Sequence, residues 1–122
     1  MAEEALARIS AGTSVPEACR DADLVIETVS ENLEIKKRVM VAVDQAAPPH
    51  AILASNTSQL SVTALATATG RPDKVVGMHW FNPPPLMRLV ELARTTLTSE
   101  ETLAVTRAVA ERMGKTVVVC RD

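Results

Sequence analysis

Aromatic residues are almost missing from this sequence: there is one Trp, one Phe and no Tyr. A surface that stacks the bases of single-stranded nucleic acid needs several aromatic faces, so that partner is excluded. Charge of one sign is missing too. Lys and Arg number 13 against 15 Asp and Glu, a formal net charge of −2, and the basic residues are scattered. No electrostatic footprint for nucleic acid or an anionic membrane follows from that. No apolar run approaches the ~20 residues that cross a bilayer. The opening Met-Ala-Glu-Glu is acidic and is not followed by an apolar stretch, so it is not read as a secretory signal. Cysteine is scarce: Cys19 and Cys120 match no metal-ligand spacing and no disulfide framework. Both are expected as free thiols in a reducing compartment, the cytoplasm or an organelle whose address lies outside this sequence. The four glycines, Gly12, Gly70, Gly77 and Gly114, are too dispersed to cradle a pyrophosphate. No Gly-x-Gly-x-x-Gly, P-loop, nucleophile elbow or zinc spacing occurs.

What remains is ordinary for a globular protein: 47% hydrophobic and 23% charged residues over 122 positions, one domain or part of one. Short apolar runs alternate with longer amphipathic ones. Asp23-Leu24-Val25-Ile26-Glu27 has the character of a strand buried on both faces. Before it, residues 1–10 read as a helix end with little to pack against, and Pro16 to Arg20 as one helical turn. Ser30 to Glu34 opens a helix to about Ala47, with Leu33, Ile35, Val39, Met40 and Val43 near helical spacing. Pro48-Pro49 ends it. A strand at Ala51–Ala54, a short helix from about Val62 to Thr69, and strands at Lys74–Met78 and Leu89–Leu92 follow. Thr98 or Ser99 caps a helix to about Met113, Gly114 is its C′ residue, and Thr116–Cys120 is a last strand. The order β-α-β-α-β-β-α-β predicts an α/β fold with a mostly parallel sheet.

Within that frame a few residues could carry chemistry. His79 is expected just past the end of a strand, where open α/β sheets bind ligands. Its imidazole can act as acid or base near neutral pH. Glu91 falls inside the next apolar strand, where an unpaired carboxylate is costly, and His79 is the economical partner. The plainer reading is a packing histidine and an outward-facing edge glutamate. Ser55-Asn56-Thr57-Ser58 also follows a strand end and could bind a ligand or merely cap the next helix. Glu27 and Glu31 flank the turn after the first strand, where an acidic group could hold ribose hydroxyls. Lys36 and Lys37 read as a solvated helix face, His50 as a loop histidine, and Met78, Met87 and Met113 as core.

The order of these signals is distinctive. Asp23-Leu24-Val25-Ile26-Glu27, Glu31-Asn32-Leu33-Glu34-Ile35-Lys36, Ser55-Asn56-Thr57-Ser58, His79-Trp80-Phe81-Asn82-Pro83 and Leu89-Val90-Glu91 together resemble the NAD-binding domain of L-3-hydroxyacyl-CoA dehydrogenases. The resemblance runs from about Ile9 to Asp122. It implies a partial Rossmann-like fold and an oxidoreductase of fatty acid metabolism that oxidises an L-3-hydroxyacyl-CoA to the 3-ketoacyl-CoA with NAD⁺. By motif position His79 would be the general base, Glu91 its carboxylate partner and Ser58 a hydrogen-bond partner of the substrate oxygen near the nicotinamide. Asn82 would contact the nicotinamide end of the cofactor, and Glu31 and Lys36 its ribose side. The family also carries a first β-α-β unit with a Gly-rich pyrophosphate turn, and a helical C-terminal domain with much of the acyl pocket. Neither falls within these residues. The chain is therefore expected to be incomplete as an isolated dehydrogenase, with an open sheet edge that invites a complementary chain or self-association. A non-catalytic relic or interaction subunit, and a related 3-hydroxy acid dehydrogenase, stand as the alternatives.

Overall fold

The computed structural model describes residues 2–122. Five strands form one sheet: β1 (Leu24–Glu27), β2 (Ile52–Ser55), β3 (Val75–Trp80), β4 (Leu89–Arg94) and β5 (Thr116–Arg121), side by side in chain order. β1, β2 and β3 run parallel, β4 turns back against β3, and β5 runs parallel to β4. The expectation of a mostly parallel α/β sheet holds. Its edges are β1, whose Leu24, Val25 and Ile26 are only half-buried, and β5, whose Val118 and Val119 are exposed.

Helices cover both faces. α1 (Ala2–Ala7) buries nothing, as its lack of packing partners suggested; Met1, part of that stretch, lies outside the described residues. α2 (Val15–Cys19), α3 (Leu33–Ala46) and α4 (Val62–Thr67) pack on one face around Met40, Val43, Leu53, Leu65 and Val75. α5 (Glu100–Arg112) lies on the other, over Val76, Met78, Val90 and Leu92. No helix among the described residues is long and apolar enough to cross a membrane.

The caps follow local chemistry. Asn32 accepts the Ile35 N–H at 3.1 Å to start α3, and Ser99 accepts that of Thr102 at 3.1 Å to start α5. Gly114, at φ +79°, ends α5 in the left-handed conformation that glycine adopts without penalty. At the other end of α3 the Arg71 guanidinium donates to the carbonyls of Asp44, Ala47, Pro48 and Ala51 and to the Asp44 carboxylate. One side chain thereby satisfies helix-terminal carbonyls that Pro48 and Pro49, lacking N–H groups, cannot.

Three expectations need correction. The inward stripe of α3 is Leu33, Lys36, Met40 and Val43, at spacings of three and four, while Ile35 is exposed. Lys36 is therefore not on a solvated face; it is 1% exposed. Of the three methionines read as core, Met78 is buried, but Met87 and Met113 are exposed, lying on a loop and at a helix end. β3 also continues through His79 to Trp80, because β4 pairs with it that far (His79 opposite Glu91, Trp80 opposite Val90).

α4 can approach β3 only because position 77 has no side chain. A Cβ on Gly77 would stand 2.8 Å from the Ala93 Cβ and 3.0 Å from Val62 Cγ2. That closeness sets α4, and the loop leading into it, beside the end of β3. Gly77→Ala should lower stability by about 2 kcal/mol and the unfolding midpoint by roughly 5–10 °C. An unchanged midpoint in calorimetry would show that Val62 and Ala93 yield freely.

Candidate active site

β1, β2 and β3 share one direction, so their C-terminal ends deliver residues to the same edge of the sheet. There they enclose a cleft of about 240 Å³ lined by Thr28, Val29, Glu31, Lys36, Asn56, Ser58, His79, Trp80 and Asn82. It brings together five of the six residues singled out in the sequence: Glu31, Lys36, Ser58, His79 and Asn82. Glu91 is not in its wall. A larger hollow, about 370 Å³, lies between Thr63, Arg94, Thr95, Thr96, Arg121 and Asp122 and contains none of them.

The floor of the cleft is built on a buried ion pair. Lys36 Nζ donates to Glu27 Oε2 at 2.6 Å and to the Val29 carbonyl at 3.0 Å. The Glu27 carboxylate also accepts the Ser55 hydroxyl at 2.5 Å and the Val29 N–H at 2.8 Å. Glu27 therefore faces inward, with its oxygens taken by the protein, and is not free for a ribose. Buried charges persist only when paired and hydrogen-bonded in this way.

Glu31 forms the rim. Thr57 Oγ1, Ser58 N, Ser58 Oγ and Gln59 N all donate to its carboxylate, at 2.9 to 3.3 Å, and Lys36 Nζ stands 3.5 Å away. Burial pushes this carboxyl up, but the hydrogen bonds from Ser58, Thr57 and Gln59 together outweigh it and hold it below its ordinary 4.5. The Ser58 hydroxyl gives its proton to Glu31, so its oxygen faces the cleft as an acceptor. The polar cluster after β2 is thus a clasp between two loops; the N-cap of α4 is Ser61, which accepts the Ala64 N–H at 3.1 Å. Asn56, whose part sequence reasoning left unspecified, accepts the Trp80 N–H at 2.9 Å and ties the ends of β2 and β3.

His79 and Glu91 sit directly opposite each other on antiparallel strands, so their side chains leave the same face. Among the described residues no hydrogen bond or ion pair joins them. The His79 ring instead packs against Phe81, with centroids 4.5 Å apart at 49°. Burial first, and then the Glu91 charge, push up the thiol of Cys120 on the adjoining β5. After Phe81 the chain enters the proline loop through a cis Asn82–Pro83 bond, with Asn82 exposed at the cleft mouth.

A small cleft at the C-terminal ends of parallel strands, lined by a histidine, amides and hydroxyls, suits the nicotinamide and ribose end of a dinucleotide. It offers no glycine cradle for a pyrophosphate, since Gly12, Gly70, Gly77 and Gly114 all lie outside it.

The chain belongs to the 3-hydroxyacyl-CoA dehydrogenase NAD-binding domain family, whose model matches residues 1–122. It is 49% identical over 115 residues to a probable 3-hydroxybutyryl-CoA dehydrogenase of Bacillus subtilis, covering 94% of this chain and 40% of that protein. It is 42% identical to the mitochondrial hydroxyacyl-coenzyme A dehydrogenase of Sus scrofa, over 98% of this chain and 38% of that one. The crystal structure of (S)-3-hydroxybutyryl-CoA dehydrogenase from Ralstonia eutropha superposes with a TM-score of 0.94 at 40% identity, over 98% of this chain and 42% of that one. The chain thus spans about two fifths of the length of these relatives.

The Glu31 clasp has a pH signature. Its carboxyl titrates lower in the folded chain than in the unfolded one. Its contribution is therefore complete above the ordinary 4.5 and is lost as pH falls through the lower folded value. Glu31→Gln should flatten the fall in unfolding free energy measured by denaturant titration between about pH 6 and pH 3. Identical slopes for the two proteins would remove the clasp from the account.

Proposed function

We propose that this chain supplies the nicotinamide side of the cofactor site, and the proton-transfer residues, of an NAD-dependent dehydrogenase acting on L-3-hydroxyacyl-CoA in fatty acid metabolism. The observation that carries the reading is convergence: Glu31, Lys36, Ser58, His79 and Asn82, from the ends of separate elements, line one cleft. NAD⁺ when bound supplies the two-electron acceptor, and the protein contributes orientation and proton transfer. His79 takes the proton of the substrate's 3-hydroxyl, which the imidazole can hold near neutral pH. Glu91, opposite His79 on the neighbouring strand, closes on the ring as it becomes charged and stabilises the imidazolium. Ser58, whose hydroxyl donates to Glu31 in the free chain, turns that hydroxyl to donate to the same substrate oxygen and fixes its direction. Asn82 offers its amide to the nicotinamide end. Glu31 and Lys36 shape the ribose side, chiefly by holding the loops in place.

The free thiols Cys19 and Cys120 suit a reducing compartment such as the cytoplasm. The half-buried edge of β1 is a site for a complementary chain or a second copy of this one. Size exclusion should accordingly show concentration-dependent association, and a single monomeric peak at all concentrations would argue against it.

The functional reading is tested by titrating the protein with NADH and then assaying acetoacetyl-CoA reduction, alone and with any complementary chain. Binding at millimolar concentration or tighter is expected, and His79→Gln should abolish turnover while leaving the fold and NADH binding intact. General-base contributions are of the order of 10²–10⁴-fold, so full turnover in that variant would remove His79 from the chemistry. No NADH binding at all would leave the non-catalytic relic as the better description.

A further inference from the structure

The segment between Trp80 and Leu89 has an unusual shortage of hydrogen-bond donors. Pro83, Pro84 and Pro85 have no backbone N–H, so the loop can do little to close upon itself. Among the described residues its internal backbone bonds both end on the Pro83 carbonyl, from Leu86 N and Met87 N at 3.0 Å. The carbonyls of Pro84 and Met87 are served from outside. Lys115 Nζ donates to the first at 2.5 Å and to the second at 2.8 Å. The same ammonium stands 5.7 Å from the centroid of the Trp80 ring, within cation–π range.

Lys115 is itself placed by the end of α5. Gly114 turns the chain at φ +79°, and Lys115 N returns to the Ala110 carbonyl at 3.1 Å. The next residue pairs with the far end of the loop, Thr116 N to the Arg88 carbonyl at 2.8 Å. Trp80 is consequently held twice: its N–H by Asn56, its ring by Lys115. Asn82, at the mouth of the cleft, is carried on the span between Trp80 and the carbonyls that Lys115 grips.

We propose that Lys115 is a positioning residue for the cofactor cleft: its ammonium replaces the donors that the three prolines lack and fixes the loop that carries Asn82. This rests on the functional reading above for its effect on NADH, but not for the grip on the loop. Lysine suits the task because its three donors radiate from one atom, so two carbonyls are met while the cation remains against the ring.

The chain's one Trp is Trp80, and there is no Tyr, so intrinsic fluorescence reports this loop alone. The test compares the unaltered protein with Lys115→Met, which keeps the apolar stem and removes charge and donors, and with Lys115→Arg, which restores both. Three quantities are measured: acrylamide quenching of Trp80 without ligand, the dissociation constant for NADH, and the unfolding midpoint. Lys115→Met should raise the quenching constant severalfold and weaken NADH about tenfold, the scale of losing charged hydrogen bonds, with little change in midpoint. Lys115→Arg should recover most of both. Quenching and affinity that match the unaltered protein in Lys115→Met would overturn the proposal. So would a loss of affinity that tracks a fallen midpoint and that arginine fails to rescue, the mark of a merely structural residue. If Lys115→Met does not fold, Lys115→Gln is read by the same criteria. Should the unaltered protein take up no NADH, the functional reading fails and the cofactor half of this proposal with it. The quenching comparison then still decides whether Lys115 holds the loop.

Discussion

The cleft depends first on the buried contact between Glu27 and Lys36. Removing two ions from water costs several kcal/mol each, and their attraction alone does not offset it unless hydrogen bonds complete the arrangement. Here they do: the carboxylate accepts from Lys36, Ser55 and Val29, and the ammonium also reaches the Val29 carbonyl. These partners come from the end of β1, the turn after it, the first turn of α3 and the last residue of β2. The pair therefore defines how those elements meet, at the place where a ligand must later fit. An apolar pair of equal volume could fill the space, but it would not fix the Val29 turn or draw Glu31 toward Lys36. Direction is what the charges contribute.

From that fixed point the geometry propagates through short polar links. Lys36 faces Glu31, Glu31 clasps Thr57 and Ser58, Asn56 holds Trp80, and Trp80 is the last residue of β3, next to His79. Parallel strands alone would bring His79 to the edge of the sheet with nothing opposite it. The reversal of β4 adds what they cannot, a carboxylate at position 91 across the ladder from the imidazole. One antiparallel pairing in a mostly parallel sheet thus sets the two members of the proposed acid–base couple on facing strands, and the proline loop that makes the reversal also carries Asn82.

Much of this was legible in the sequence, for reasons that can be named. Runs such as Leu24-Val25-Ile26 and Val75-Val76 mark strands, although the first is only half-buried at the sheet edge, and Ser99 and Gly114 mark helix ends, because backbone chemistry near each residue decides the outcome. The proposed site residues rest on resemblance rather than on physics, since composition alone leaves His79 and Glu91 readable as packing residues. What local reasoning missed was long-range. Lys36 looks solvated beside Lys37, although it shares the spacing of Leu33, Met40 and Val43; a charge on an apolar stripe was the signal, and Glu27 at a strand end was its partner. Arg71 and Lys115 give no local signal, and Asn56 gives only its place in a polar cluster, because each satisfies backbone groups distant in the chain. The residues around His79 end its strand too early because the reach of β4 pairing is not written in them.

A final distinction follows from which polar groups in the cleft are already satisfied. Lys36, Glu31 and the Asn56 carbonyl oxygen spend their hydrogen-bonding capacity on the protein. Among the described residues, the ring nitrogens of His79 and the side-chain amide of Asn82 have no protein partner, and Ser58 Oγ keeps its acceptor lone pairs. The first set builds the wall and the second is left to act on a ligand. Groups whose bonds are complete need no reorganisation when a ligand arrives, so the open valences of the second set are presented in a fixed arrangement. That division suits a cleft with so few aromatic and apolar side chains: closed polar networks shape it, and the proposed chemistry falls to the three groups those networks leave open, with Glu91 behind His79.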